Sequence, residues 1–350
     1  MQMTTFPQGQ HILPRFFLDG FAFDGSKGSR QIHVFRKGSK PFTSSIVDTA
    51  KQRFFYARPE GPDTEAALSK EEGVLAEFVQ ELRHLDGPVG RSDNKACIDL
   101  AVHLASRTNH YRAGITDALR RIWEPMADFL EVNRLQARVE KMDPEELHAA
   151  IQLWLDQEEP DVGKREQLAA GMAELLLDPQ SQFWEALKHL PANMRSLGVA
   201  DLVRTSHNES LREQRGRSDW YAKTDRWTWR VCRGGDGLFI LGDFGPIATK
   251  TSHPGAMGAL LVADNLGGLV LPISHARVLV GYDATLLPEG PMMSLDDFSM
   301  AIARLSREFF CSFLNEERER ALSQQIGAQG NLISRSFMDA LEKNLHSSKG

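Results

Sequence analysis

The chain has 350 residues, of which 41% are hydrophobic and 25% charged, and a net charge of -6. A chain of this size can bury a sizeable core, in one large or two smaller domains. Its acidic balance speaks against a non-specific polyanion binder and leaves room for a local basic cleft. Cys97, Cys232 and Cys311 are widely spaced, so they suggest neither a disulfide framework nor a zinc site. The first residues lack a basic stretch followed by an apolar run, and no segment nears the ~20 apolar residues of a spanning helix. These features predict a cytoplasmic protein with no membrane partner.

Residues 1–60 carry nine lysines and arginines against four carboxylates, and they read as a basic, β-like segment. Gln10 to Phe21 stands out. His11 and Arg15 lie four residues apart among apolar and aromatic side chains, which should dock into the core and leave the two polar groups needing partners. Gly25–Ser29 forms a turn, Gln31–Arg36 alternates as a half-buried strand, and Arg53–Tyr56 is an aromatic cluster expected beside the opening segment.

Residues 61–208 read as helical. Leu68, Val74, Leu75, Phe78, Val79 and Leu82 follow helix spacing and mark one helix face. Ile98, Leu100, Ala101, Val102, Leu104 and Ala105 mark a second helix apolar enough to be buried. A third is expected from about Ile115 to Val139, kinked at Pro125. Asp143-Pro144-Glu145-Glu146 is a helix start, with an N-cap, a first-turn proline and first-turn acids. Further helices are expected over 163–177 and 180–189. The polar stretch 209–225 reads as a linker.

Residues 226–350 change period. Trp227–Cys232 alternates, Gly234–Gly237 reads as a hairpin turn, and Leu238–Leu241, Leu269–Pro272 and Ala276–Gly281 read as strands of a mostly antiparallel sheet. Ser294 caps a helix whose predicted core face runs from Phe298 and Ile302 through Leu305 to Phe309 and Phe313, with Asp297 at the capping-box position. A last helix is expected over about 331–345. The fold class is therefore α+β: a helical middle, a small mostly antiparallel sheet and closing C-terminal helices.

Phosphate-binding loops, zinc-protease motifs and nucleophile elbows are all missing from the sequence. The candidate groups are His11 and Arg15, then Arg107 and Arg112 at the end of the buried helix, then Asp243 after the apolar strand among Gly242, Gly245 and Pro246. His253 and His275 are read as surface or structural histidines. In this order the segments resemble the domain of unknown function 4238 family. That family opens with a Gln-His-x-x-Pro motif followed by aromatics, matched by Gln10 to Phe21. Its aromatic cluster, arginine pair and Asp–Pro and Pro–x–Ser motifs look like Lys51–Tyr56, Arg107 with Arg112, Asp243–Pro246 and Pro272–Ser274. Glycine stands at 242 where the family has serine. The resemblance implies a fold and a set of positions rather than a reaction.

The residues suggest a hydrolase or nuclease-like enzyme on a phosphate-bearing substrate, with nucleic acid among the candidates and bacterial defence as a setting. His11 would be general acid or base, Arg15, Arg107 and Arg112 would clamp phosphate, and Asp243 would orient His11. No cofactor is expected, a divalent ion at Asp243 being the alternative. Two other readings stand beside it: a non-catalytic anion- or nucleotide-binding sensor module, and a buried ion-pair network that locks the N-terminal segment in place.

Overall fold

The computed structural model describes residues 9–53, 55–56, 64–129, 132–158, 162–181, 183–185, 199–214, 217–234, 238–250, 257–259, 266–287, 290 and 294–329. The chain is α+β and divides into two units. One comprises residues 1–116 and 203–350, the other residues 117–202. His253 and the helix predicted over 331–345 lie outside the described residues.

The smaller unit is helical. Pro144–Glu158 and Val162–Leu177 bury Leu147, Ile151 and Leu155 against Ala169 and Ala173. The predicted start at Asp143 holds, for its carboxylate accepts the Glu145 N–H at 2.8 Å. The third predicted helix is Asn109–Phe129, so Pro125 lies inside it, with a separate helix over Val132–Val139.

In the larger unit, β1 (Gly9–His11) pairs antiparallel with β5 (Lys51–Arg53), which brings the aromatic cluster beside the opening segment. Pro14 then starts a short helix, α1 (Arg15–Asp19), which buries Phe17 and Leu18. Its last carbonyls are capped by Arg83 from α2 (Thr64–His84), whose guanidinium donates to Phe16 O at 2.9 Å and Phe17 O at 3.2 Å. The buried helix predicted from the apolar run is α3 (Asn94–Ser106), with Arg107 as its C-cap.

Two further sheets lie in the unit, and every strand pair among the described residues is antiparallel. In one, β3 (Arg30–Arg36) pairs with β2 (Phe23–Asp24), β4 (Phe42–Ser45) and β13 (Phe309–Ser312), and β13 also pairs with β8 (Leu241–Gly242). The other runs β10-β9-β11-β12-β7-β6, where β6 is Gly87–Pro88, β7 Trp227–Arg233, β9 Ile247–Lys250, β10 Met257–Ala259, β11 Leu266–Ser274 and β12 Arg277–Asp283. β11 is buried along nearly its whole length, as a central strand covered on both faces must be.

Three expectations change. Residues 209–225 are not a linker: they fall largely in the helices Val199–Glu213 and Arg217–Thr224. The first buries Val203, His207, Asn208 and Leu211, so past 208 only Leu211 reaches the core and the apolar period of that helix does not show there. The strands flanking Gly234 do not form a hairpin, since β7 pairs with β12 and β6 while Leu241–Gly242 joins the other sheet. The helix capped by Ser294 ends at Leu305, and Phe309 begins a strand. Its cap is as expected, Ser294 Oγ accepting the Asp297 N–H at 3.1 Å.

Candidate functional site

The opening segment forms one wall of a cleft of about 520 Å³. His11, Arg15 and Asp19 line it from that side, and Ser69, Glu72 and Arg107 from α2 and the end of α3. Three of the predicted residues therefore meet here. Arg15 is exposed and makes no ion pair among the described residues. His11 is half-buried, and its imidazole is held down to about 4 by burial first, then by Lys51, Arg107 and Arg15, against a backbone contact with Thr49. It is neutral at pH 7, chiefly through burial, and the cations that add to that effect are those that would welcome an anion.

Arg107 does not point into open solvent. Its side chain is 1% exposed, it donates to His11 O from Nε at 3.0 Å and Nη2 at 2.7 Å, and its Nη1 pairs with Glu72. Tyr56 lies under the guanidinium, 5.5 Å away. Arg107 thus fixes the backbone that carries His11, and its charge is largely spent on Glu72.

Arg112 and Asp243 are not part of the cleft lining. Arg112 is buried and donates to Phe55 O, to His207 Nδ1 at 2.9 Å and to Asn208 Oδ1 at 2.9 Å. Since His207 Nδ1 accepts, its proton sits on Nε2, facing Ser106 O. Burial and the Arg112 charge hold that ring down at about 3. Arg112 therefore ties the aromatic cluster to the helix Val199–Glu213.

Asp243 is a buried backbone clamp. Its Oδ1 accepts the Arg307 N–H at 2.9 Å, and its Oδ2 accepts those of Glu308 at 2.7 Å and Phe309 at 3.1 Å. Burial raises its carboxyl to about 6, opposed by those three donors. The carboxylate takes the N–H groups that would have continued the preceding helix, which is why that helix stops at Leu305 and Phe309 enters β13. The glycine at 242 has a steric cause: a Cβ there would lie 2.5 Å from the Phe244 ring and 2.7 Å from Ser306 Oγ. Gly245 has φ +87°, and a Cβ on it would meet the Ala105 backbone at 3.1 Å. The Asp243 turn thus packs against the end of α3 and does not present its carboxylate to the His11 cleft, where it was expected to orient His11.

Sequence reasoning missed a group of residues behind the cleft. Buried His103 stands between Glu71, 3.2 Å from Nδ1, and Glu72, 3.8 Å from Nε2. Glu71 also pairs with Arg217, which reaches Asp99 at 3.3 Å, and Asp99 accepts from the Tyr221 hydroxyl. Burial pushes the Glu71 carboxyl up, but His103 and Arg217 outweigh it and the net shift is down. The visible signal was His103, an ionisable residue within the apolar run of α3, four residues before Arg107. His275 is structural: its ring stacks on Phe313 at 4.3 Å, and its Nδ1 lies 3.0 Å from Gly20 O. Among the described residues, no three His, Cys, Asp or Glu side chains are placed to hold a metal ion.

A family model described as Protein of unknown function (DUF4238) matches residues 9–308. The chain belongs to this family. The match begins at β1 and ends at Glu308, so it takes in the opening segment, the Arg107 region and Asp243 with two of its three backbone donors. No curated protein and no solved structure gives a match. No helix among the described residues is long and apolar enough to cross a membrane.

Proposed function

We propose that this DUF4238 protein binds a phosphate-bearing anion in the His11–Arg15 cleft and acts as an anion- or nucleotide-binding module. The observation that carries this reading is Arg15: an exposed guanidinium without an ion pair among the described residues, lining a cleft whose histidine is kept neutral by burial first and by three nearby cations second. A guanidinium can grip two phosphate oxygens, and a neutral imidazole can donate one hydrogen bond to a third. The three free cysteines fit a reducing compartment, so the cytoplasm is the proposed location.

A second reading is a hydrolase or nuclease-like activity at the same place, favoured by the carboxylates of Asp19 and Glu72 lining the cleft beside His11. Both are engaged, Asp19 with Arg30 at 2.9 Å and Glu72 with Arg107. A histidine held near 4 is also a weak base at neutral pH, so binding is the stronger reading. Calorimetric titration with inorganic pyrophosphate tests it. Saturable binding that Arg15→Ala weakens about tenfold is expected; no binding, or binding indifferent to Arg15, would refute it. Phosphate release from nucleotides, RNA or DNA by the wild type, lost in a folded His11→Ala variant, would establish the hydrolase instead.

A further inference from the structure

A second cavity, of about 760 Å³, opens between the start of α3 and the segment Tyr221–Trp229. Its volume lies within the ~300–1,000 Å³ range of small-molecule sites. Arg91, Lys95 and Arg226 stand exposed around it against one lining carboxylate, Asp225, and none of these three cations makes a salt bridge among the described residues. The rest of the lining is of a different kind. Ile98 and Trp227 give buried apolar wall, and Ser92 and Thr228 add hydroxyls. The Tyr221 ring carries Lys95 Nζ at 5.1 Å from its centroid, while its hydroxyl is committed to Asp99.

A cavity that is cationic around its edge and aromatic inside suits a ligand with the same division. A bare phosphate would leave the half-buried Tyr221 ring uncovered, and a neutral flat molecule would leave the excess of cations over Asp225 uncompensated. We propose that this cavity binds a nucleotide, its base against Tyr221 and the Trp227 wall and its phosphate among Arg91, Lys95 and Arg226. This site is separate from the His11 cleft and does not depend on the function proposed for it.

The test is calorimetric titration of the full chain with AMP, GMP, CMP and UMP, and with adenosine, inorganic phosphate and a single-stranded oligonucleotide. At least one monophosphate should bind saturably and more tightly than adenosine or phosphate. Arg91→Ala and Arg226→Ala, both at exposed positions, should each weaken it about tenfold, with circular dichroism unchanged. Tyr221→Phe keeps the ring and should keep the affinity, and Arg15→Ala should leave it unaltered. The proposal is overturned if no monophosphate saturates, if only the oligonucleotide binds, if the double variant Arg91→Ala/Arg226→Ala binds as the wild type does, or if Arg15→Ala abolishes binding.

Discussion

Removing the Asp243 carboxylate should unfold the junction between the helix ending at Leu305 and strand β13. The side chain is buried and serves three backbone donors, those of Arg307, Glu308 and Phe309. A hydrogen bond to a charged group is worth ~1.5–3 kcal/mol net, and each buried donor left alone costs ~1–3 kcal/mol. These costs do not add fully, because the backbone relaxes and water enters, so Asp243→Ala should lose ~3–5 kcal/mol. Asp243→Asn keeps one acceptor oxygen. Turned toward Glu308 and Phe309, that oxygen retains two bonds and sets the amide against the Arg307 N–H, for a loss of ~2–3 kcal/mol. Urea unfolding at pH 7, followed by tryptophan fluorescence, measures both. A loss below ~1 kcal/mol for the alanine variant would refute the clamp. So would Asp243→Asn matching Asp243→Ala. Because Asp243 does not line the His11 cleft, the asparagine variant should bind pyrophosphate as the wild type does wherever it remains folded.

Arg107→Met removes both bonds to His11 O and leaves Glu72 without its main partner; it should cost ~3–5 kcal/mol in urea unfolding, as breaking a buried pair does. Arg107→Lys should recover only part of that, since one ammonium cannot reproduce the two-pronged grip on a carbonyl. Gly245→Ala combines positive φ with a backbone clash at Ala105 and should cost ~1–3 kcal/mol, read as a lowered urea midpoint. His11 should titrate by NMR near 4. Its folded value lies below the unfolded 6.5, so the folded state binds fewer protons between the two values. The stability it contributes is present above 6.5 and is lost as pH falls from 6.5 toward 4. His11→Gln should flatten that part of the pH–stability curve, and a curve unchanged by the substitution would contradict the assignment.

Much of the fold is legible where one local signal decides it. The apolar run of α3 predicts its burial, and Asp143 and Ser294 mark helix starts because a cap acts within its own turn. Legibility fails where a distant partner decides. Phe309 sits at helical spacing from Leu305, yet the carboxylate that draws its N–H into a strand lies 66 residues earlier in the chain. The stripe holding His207 and Asn208 looks solvated until Arg112 is known to meet it. The site divides in the same way. His11, Arg15 and Arg107 line one cleft, while Arg112 and Asp243 resemble them in sequence but spend their bonds on backbone and neighbouring side chains. Only three-dimensional pairing separates a guanidinium that is free from one that is occupied.

The most direct test of the central claim is a site-resolved titration. The His11 imidazole resonance, assigned through His11→Gln, is followed in labelled wild-type protein as inorganic pyrophosphate is added across a range of pH. Bound anion in the cleft favours the imidazolium, so the shift should saturate, the midpoint should rise from about 4, and affinity should increase as pH falls through that range. Arg15→Ala should move the response to about tenfold higher pyrophosphate. A His11 resonance and midpoint that do not move while pyrophosphate is added would contradict an anion site in this cleft.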